Sequence, residues 1–339
     1  MKKELSDILF KSSIVTAGGS MNTRISEIVF DSRKVTPGCV FVAIKGTQVD
    51  GHNFIEQAVA EGAKAIVCEK MPEALKTKVT FVEVQNSAEA LGIMASNFYG
   101  KPSHKLKVVG VTGTNGKTTV VTLLFELFSK LGYRCGLLST VENRIADKKI
   151  ASTHTTPDAL AIQQLMAEML KAGCTHCFME VSSHAVVQHR IAGIQFTGAI
   201  FTNITPEHLD FHGTFKDYIN AKKGFFDVLG SQAFALVNAD DNNAKIMVQN
   251  TKAFVRSYSL EYITDFHARI LANGVHGLQL EVEGRELWSV LMGRFNASNL
   301  LCVYAVAQIM GESPEEILVH ASTLAPPRGR FERYFSENG

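Results

Sequence analysis

Gly113-Thr114-Asn115-Gly116-Lys117-Thr118-Thr119 lies between a short apolar run, Val108-Val109-Gly110-Val111-Thr112, and an apolar helical face made of Val120, Leu123, Leu124, Leu127, Phe128 and Leu131. Strand, glycine-rich loop and helix in that order can hold a phosphate. Glycines let the backbone curl until successive N–H groups and the helix N-terminus face an anion. Lys117 adds a point charge, and Thr118 offers a hydroxyl to Mg²⁺. The usual spacing, G-x-x-x-x-G-K-[ST], would need glycine at 111, where Val111 stands; the glycines are at 110, 113 and 116. The loop is therefore a variant, and the strand and helix on either side carry the reading. The expected ligands are ATP and Mg²⁺.

Metal ligands for such a site should come from neighbouring strand ends, where side chains converge on the phosphates. Glu180 closes the apolar run 177–181, and His208 follows the run 199–202 in the polar stretch Thr202-Asn-Ile-Thr-Pro-Glu-His208-Leu-Asp-Phe-His-Gly213. Both are expected metal ligands. A guanine-specific switch protein is disfavoured, because no Asn-Lys-x-Asp occurs and Asn238-Ala-Asp240-Asp241 lacks the lysine. Cys174-Thr-His-Cys177 has the spacing of a zinc or redox pair, but no second pair follows and it runs into Phe178-Met179, so it reads as core. Reduced, buried thiols are expected for all six cysteines.

The 339 residues suggest two domains, and 46% hydrophobic with 20% charged residues is the mix of a folded globular chain. A net charge of +1 supplies no general footprint for nucleic acid or an anionic membrane. The start, MKKELSDILFKSS, has no signal-peptide core and the apolar runs are short, so a cytoplasmic protein is expected. The fold class is α/β. Residues 1–102 read as a small α/β domain, with strands near 28–30, 40–44, 65–67 and 79–84 and helices near 53–62 and 87–99. Gly100-Lys101-Pro102-Ser103 breaks the pattern. From 103 to 330 the texture is that of a P-loop-type, mostly parallel sheet flanked by helices. Its strands are 108–112, 136–139, 177–181, 199–202 and 233–238, and its helices 117–131, 157–171 and 214–229. Thr156 is read as the cap of the second of these helices. A β-rich stretch with Gly274, Gly277 and Gly284 follows, then helices from about 296 and 314.

Together Gly113–Thr119, Glu180-Val-Ser-Ser-His184, His208-Leu-Asp-Phe-His-Gly213 and Met292-Gly-Arg-Phe-Asn296-Ala-Ser-Asn299 resemble the signatures of the Mur ligase family of peptidoglycan synthesis, over essentially the whole chain. Phe30-Asp-Ser-Arg33, Gly46–Gly51, Thr155-Thr-Pro-Asp158 and Ser182–Arg190 are similar to the family's ligases that extend a dipeptide-bearing sugar nucleotide. The resemblance implies an ATP-dependent acid–amino-acid ligase. It would phosphorylate the D-Glu side-chain carboxylate of UDP-N-acetylmuramoyl-L-alanyl-D-glutamate, then let the amine of diaminopimelate or lysine attack the acyl phosphate. It further implies that Phe30, Ser32, Thr47, Gln48 and Val49 hold the uridine end. Thr155, Thr156, Ser182, Gln188 and Arg190 would meet the muramoyl-dipeptide. Asn296, Asn299 and Arg330 would approach the adenine nucleotide. Lys222, four residues after Tyr218, matches the lysine that takes up CO₂ as a carbamate and becomes a metal ligand. Lys117, Lys222 and His208 are thus the expected catalytic set, in a chain expected to act as a monomer.

Family members carry a third, Rossmann-like domain holding the pocket for the incoming amino acid. Here 331–339 reads as its stub, so a chain that binds without turning over is expected, and diaminopimelate and lysine stay undistinguished. A ligase adding D-alanyl-D-alanine, a folylpolyglutamate-synthase-like enzyme and a non-enzymatic nucleotide-binding module remain as alternatives.

Overall fold

The computed structural model describes residues 2–47, 49–71, 79–152, 154–326 and 329. The chain divides into two compact units, Met1–His104 with Asp158–Ala167 and Gln188–Ile194, and Lys105–Pro157 with Glu168–Val187 and Gln195–Gly339.

In the first unit five strands pair in the order Ile14–Gly18, Thr80–Val84, Ala65–Cys68, Val40–Val42, Ile28–Val29, parallel except for the first pair. Successive side chains of a strand face opposite sides, and in the four strands other than the exposed Ile14–Gly18 both sides are covered. Val40, Val42, Ala65, Val67, Val82 and Val84 pack with Leu91 and Met94 of the helix Ser87–Phe98. Phe41, Ile66, Cys68 and Phe81 pack with Ile55 and Ala58 of the helix Ile55–Ala60. Burial on both faces explains why those four read as continuous apolar runs, and exposure explains why Ile14–Gly18 does not.

The second unit is built on an eleven-stranded sheet. Seven strands, Cys135–Leu138, His176–Glu180, Lys107–Thr112, Gly198–Phe201, Phe234–Asn238, Phe254–Ser259 and Phe266–Gly274, run parallel in that spatial order. Antiparallel strands close both ends: Glu142–Ile145 and Lys148–Ala151 on one side, Gly277–Val282 and Arg285–Ser289 on the other. The chain enters at Lys107–Thr112, in the middle, and later strands are added on either side of it, so the order reverses at the end of this strand. That reversal opens a crevice at the carboxyl ends of the strands, where ligands of such sheets sit.

Alternation along Lys107–Thr112 assigns the two flanking layers. Val109 and Val111 belong to one cluster with Val120, Leu124 and Phe128 of the helix Lys117–Lys130 and Leu300 and Leu301 of the helix Arg294–Ile309. Gly110 faces the other way: a Cβ there would lie 2.5 Å from Cζ of Phe225, on the helix Phe215–Asp227. The displaced glycine of the variant loop sequence thus lets that helix lie close against the strand.

The cysteines are all free and buried, and burial pushes the thiol of Cys135 up to about 12. The 174–177 motif is core. Its His176, 1% exposed, sits among the rings of Phe128, Tyr133 and Phe178. Nδ1 lies 2.8 Å from the Thr175 hydroxyl, and Nε2 is buried without a partner. Burial, helped by the charge of Lys107, lowers the imidazole pKa to about 4. The unfolded chain takes up this proton near 6.5, so stability is lost as pH falls from about 6.5 towards 4, by about 3 kcal/mol over the window. In denaturant titrations at pH 7 and 4.5, His176→Phe is expected to remove that part of the acid sensitivity; an unchanged pH difference would contradict it.

Candidate active site

Strand Lys107–Thr112 delivers the loop, and the helix Lys117–Lys130 begins at its end with Gly116 as cap and no side-chain cap hydrogen bond. The first-turn N–H groups of a helix have no intrahelical partners, which makes this terminus a ready anion site. Gly113 and Gly116 have φ of 153° and 87°, values that L side chains rarely adopt, and a Cβ on Gly113 would collide with the Thr202 hydroxyl. A Cβ on Gly116 would lie 2.9 Å from Oδ1 of Asn299. This places Asn299 beside the loop. Asn299 also donates to Asn296 Oδ1 at 3.2 Å, and Asn296 donates to the Met292 carbonyl at 2.8 Å.

The loop is held from the adjacent strand end by residues that the local reading did not single out. The Thr202 hydroxyl donates to the Asn115 carbonyl (2.6 Å), Asn203 Oδ1 accepts from the Asn115 N–H (3.0 Å), and the Asn203 carbonyl accepts from the Thr114 N–H (2.8 Å). Thr114 Oγ1 in turn donates to the Thr205 carbonyl (3.2 Å), accepts from its N–H (3.0 Å) and lies 3.2 Å from the Tyr218 hydroxyl. The cluster of Thr and Asn just before Pro206 was the available signal.

Two ammonium groups converge on one carbonyl. Lys117 Nζ donates to Gly113 O and Thr114 O, both at 2.8 Å, and Lys222 Nζ donates to Gly113 O at 2.9 Å. Lys222 is 1% exposed and lies 4.5 Å above the Tyr218 ring. Burial first, and then the charge of Lys117, hold its pKa well below the ordinary lysine value, against a weaker pull from Glu207. The adjacent lysines would ordinarily read as a solvated pair, but both are buried. Lys223 instead pairs with Asp227 at 2.7 Å. The close approach at Gly110 explains the reach of Lys222: Phe225 and Lys222 are three apart on one helix face, so the helix that presses Phe225 onto Gly110 aims Lys222 at the loop.

Glu180 is fully buried at the end of the strand His176–Glu180, in register with Val111. Oε1 accepts from the Thr140 N–H at 2.7 Å, while Oε2 is buried with no hydrogen-bond partner. A buried carboxylate oxygen left over beside a phosphate loop fits Mg²⁺, which is commonly held by one or two carboxylates together with phosphate oxygens. Among the described residues no group of three or more His, Cys, Asp and Glu side chains is gathered as a metal cage, and this mode of binding needs none. His208 is exposed, with φ of 56°, and its ring lies 5.2 Å from that of His184 and 6.1 Å from that of Tyr218. His212 joins the group by ring contacts with His184 at 5.5 Å and Tyr218 at 5.0 Å, and its Nε2 lies 2.9 Å from the Ser183 hydroxyl. Burial and the charges of His184, Lys222 and His208 lower its pKa.

Thr155, Thr156 and Ser182 gather around the same strand end. The Thr156 hydroxyl donates to the Glu180 carbonyl at 2.9 Å and accepts from the Ser182 N–H at 3.1 Å, and Thr140 donates to Thr155 at 3.1 Å. The expected cap role of Thr156 is corrected by this geometry. The helix is Ala159–Lys171, and Asp158 Oδ1 accepts from the Ala161 N–H at 2.9 Å, because the hydroxyl of Thr156 is already engaged at the strand end. Of the other expected residues, Gln188 and Arg190 belong to the first unit, where Arg190 Nε and Nη2 donate to Gln188 Oε1 at 2.9 and 2.6 Å. Phe30 packs against the core of that unit. Ser32 starts a 3₁₀ turn capped by Asp31, and Val49 is 57% exposed in the same tight turn as Thr47, closed by Gly46 N–H donating to Val49 O at 3.0 Å. Gln48 and Arg330 lie outside the described residues.

Known proteins resemble this chain along nearly its whole length. Residues 111–307 match the family described as Mur ligase middle domain, and residues 24–99 match the one described as Mur ligase family, catalytic domain. The UDP-N-acetylmuramoyl-L-alanyl-D-glutamate–2,6-diaminopimelate ligase of Cytophaga hutchinsonii is 53% identical over 334 residues, covering 98% of this chain and 69% of the relative. That of Phocaeicola vulgatus is 49% identical over 321 residues, covering 95% of this chain and 66% of the relative. A solved structure of a ligase of the same description superposes with a TM-score of 0.85 at 25% identity, over 99% of this chain and 70% of that one. The chain thus spans about two thirds of the length of these relatives. Matched along nearly all its residues by such ligases, and over residues 111–307 by the family's middle domain, the chain belongs to the Mur ligase family.

Proposed function

We propose that this chain provides the ATP site and the sugar-nucleotide site of a ligase that joins 2,6-diaminopimelate to the D-Glu side-chain carboxylate of UDP-N-acetylmuramoyl-L-alanyl-D-glutamate. The observation that carries the proposal is the convergence of Lys117 and Lys222 on the Gly113 carbonyl at a capless helix N-terminus. Diaminopimelate is proposed ahead of lysine because the 53% and 49% identical relatives are 2,6-diaminopimelate ligases.

An amide does not form readily from a carboxylate in water, so the carboxylate must first be activated. Its oxygen attacks the γ-phosphorus of ATP, the bond to the β-phosphate oxygen breaks, and ADP leaves. The amine then attacks the acyl carbon and expels inorganic phosphate. Catalysis of the first step is positioning plus charge stabilisation. Lys117 and the first-turn N–H groups cradle the phosphates. Thr118 and Glu180 Oε2 would hold Mg²⁺, which when bound would supply positive charge to offset the negative charge of the phosphates. His208, and Lys222 as its carbamate, would serve the acyl-phosphate end of the reaction. Thr155, Thr156 and Ser182 offer hydroxyls to the peptide amides, and Arg190, its guanidinium oriented by Gln188, offers a fork to a carboxylate or phosphate. Phe30, Ser32, Thr47 and Val49 are proposed for the uridine end, with Gln48 beside them in sequence, and Asn296 and Asn299 for the adenine nucleotide, with Arg330. Among the described residues no helix is long and apolar enough to cross a membrane.

The test is thermal unfolding with each candidate ligand. UDP-N-acetylmuramoyl-L-alanyl-D-glutamate at about 100 times its Kd is expected to raise Tm by roughly 5–10 °C. Stabilisation by the corresponding tripeptide sugar nucleotide but not by the dipeptide would favour the D-alanyl-D-alanine-adding activity instead. A response to folate polyglutamates alone would favour the folate-type enzyme.

A further inference from the structure

We propose that Asn238 and Asp241, in the stretch that fails as a guanine motif, are positioning residues that fix the phosphate loop through residues 202–205. Strands Lys107–Thr112, Gly198–Phe201 and Phe234–Asn238 are successive neighbours in the sheet, so their ends lie side by side. The short segment after the middle one is held from both flanks. On the loop side, Thr202, Asn203 and Thr205 engage Thr114 and Asn115 as described above. On the far side, Asn238 Nδ2 donates to the Thr202 carbonyl at 2.8 Å, and Asp241 Oδ2 accepts from the Ile204 N–H at 2.7 Å.

The motif is itself locked. Asp240 N–H donates to Asn238 Oδ1 at 3.1 Å, and Asp241 Oδ1 accepts from the Asn243 N–H at 2.8 Å and from its side-chain amide at 3.2 Å. One Asp241 oxygen is therefore spent on its own turn and the other on Ile204, which is 5% exposed. The clamp has a direct consequence for anion binding. It ties the Thr114 and Asn115 N–H groups to Asn203, so phosphate recognition passes to the helix N-terminus and to Lys117, and the angle at which Gly113–Gly116 presents them depends on where residues 202–205 sit. Removing the Asp241 carboxylate strands a buried N–H, which the segment can satisfy only by moving, and the loop moves with it.

The inference rests on the proposed ATP site for its functional part and on the loop alone for its structural part, so two measurements separate them. Without nucleotide, amide exchange across residues 113–117 is expected to speed up about tenfold in Asp241→Ala while strand 107–111 keeps its protection. With nucleotide, calorimetry is expected to give an ATP Kd about tenfold weaker in Asp241→Ala, largely restored in Asp241→Asn, which can still present an oxygen to Ile204 N–H, with UDP-muramoyl-dipeptide affinity unchanged. Asn238→Ala, acting through the separate bond to Thr202 O, should repeat both effects and serves if Asp241→Ala does not fold. Unchanged loop exchange in both alanine variants, or an equal fall in both ligand affinities, would overturn the proposal. Faster loop exchange in a protein whose unmutated form binds no ATP would uphold the clamp and sink the proposed function.

Discussion

In a ligase of the relatives' full length, Lys222→Ala is expected to lower turnover by at least about 100-fold, the scale of several kcal/mol that a positioned metal and its ligands contribute to a developing charge. The unmodified side chain is poorly placed to help: its ammonium shares the Gly113 carbonyl with that of Lys117, and a second cation there would repel a metal. Reaction of the neutral amine with CO₂ forms an N–C bond, releases a proton and leaves a carbamate anion, which reverses the sign of the interaction with both Lys117 and Mg²⁺. The site favours this, since burial and Lys117 hold the Lys222 pKa well below the ordinary value. The neutral amine, and with it the carbamate, should persist to lower pH than for a surface lysine, and both should be lost as pH falls through the depressed pKa. With ¹³C-labelled bicarbonate, one carbamate resonance should appear in the unmutated chain and in Lys223→Ala but not in Lys222→Ala, and short carboxylic acids should partly restore the turnover of Lys222→Ala. Equal turnover of Lys222→Ala and the unmutated enzyme, in CO₂-depleted and CO₂-replete buffer alike, would end the carbamate proposal. Lys223→Ala removes only the i,i+4 pair with Asp227, worth a few tenths of a kcal/mol, and should change turnover less than about twofold.

Lys117→Ala should weaken ATP binding roughly 100-fold or more, about 3 kcal/mol for the loss of charge-assisted contacts to the phosphates. UDP-muramoyl-dipeptide should bind nearly as before, because the residues proposed for uridine are in the first unit and the loop is in the second. Calorimetry with each ligand in turn measures this directly. Parallel loss of both affinities in a protein that still folds would show the two-site assignment to be mistaken. The same substitution should also relieve Lys222 of its like-charged neighbour and move its pKa back towards the ordinary value, since that charge is the second cause of its depression.

The loop itself was legible in the sequence because its determinants are local. Glycines at 113 and 116 supply the φ values that the turn requires, an apolar strand precedes them, and the 3.6-residue spacing of Val120, Leu124 and Leu127 marks the following helix. Five strands of the parallel sheet were legible for a related reason, burial on both faces leaving unbroken apolar runs, whereas Phe254–Ser259 and Phe266–Gly274, largely exposed, were not. Glu180 and His208 could be named from their places after strand ends, and the family signatures supplied the rest of the expected site. What local spacing could not give was partnership. That Asn203 ties down Thr114 and Asn115, that Thr140 takes one oxygen of Glu180 and leaves the other over, and that Thr156 serves a strand end instead of capping a helix all depend on strand order and register. These are set by packing between segments far apart in the chain. Lys222 shows the division most plainly. Its residue type and its distance from Tyr218 are sequence facts, but its depressed pKa comes from burial and from a contact with a carbonyl 109 residues away, and only the close packing of a helix on Gly110 brings those two groups together.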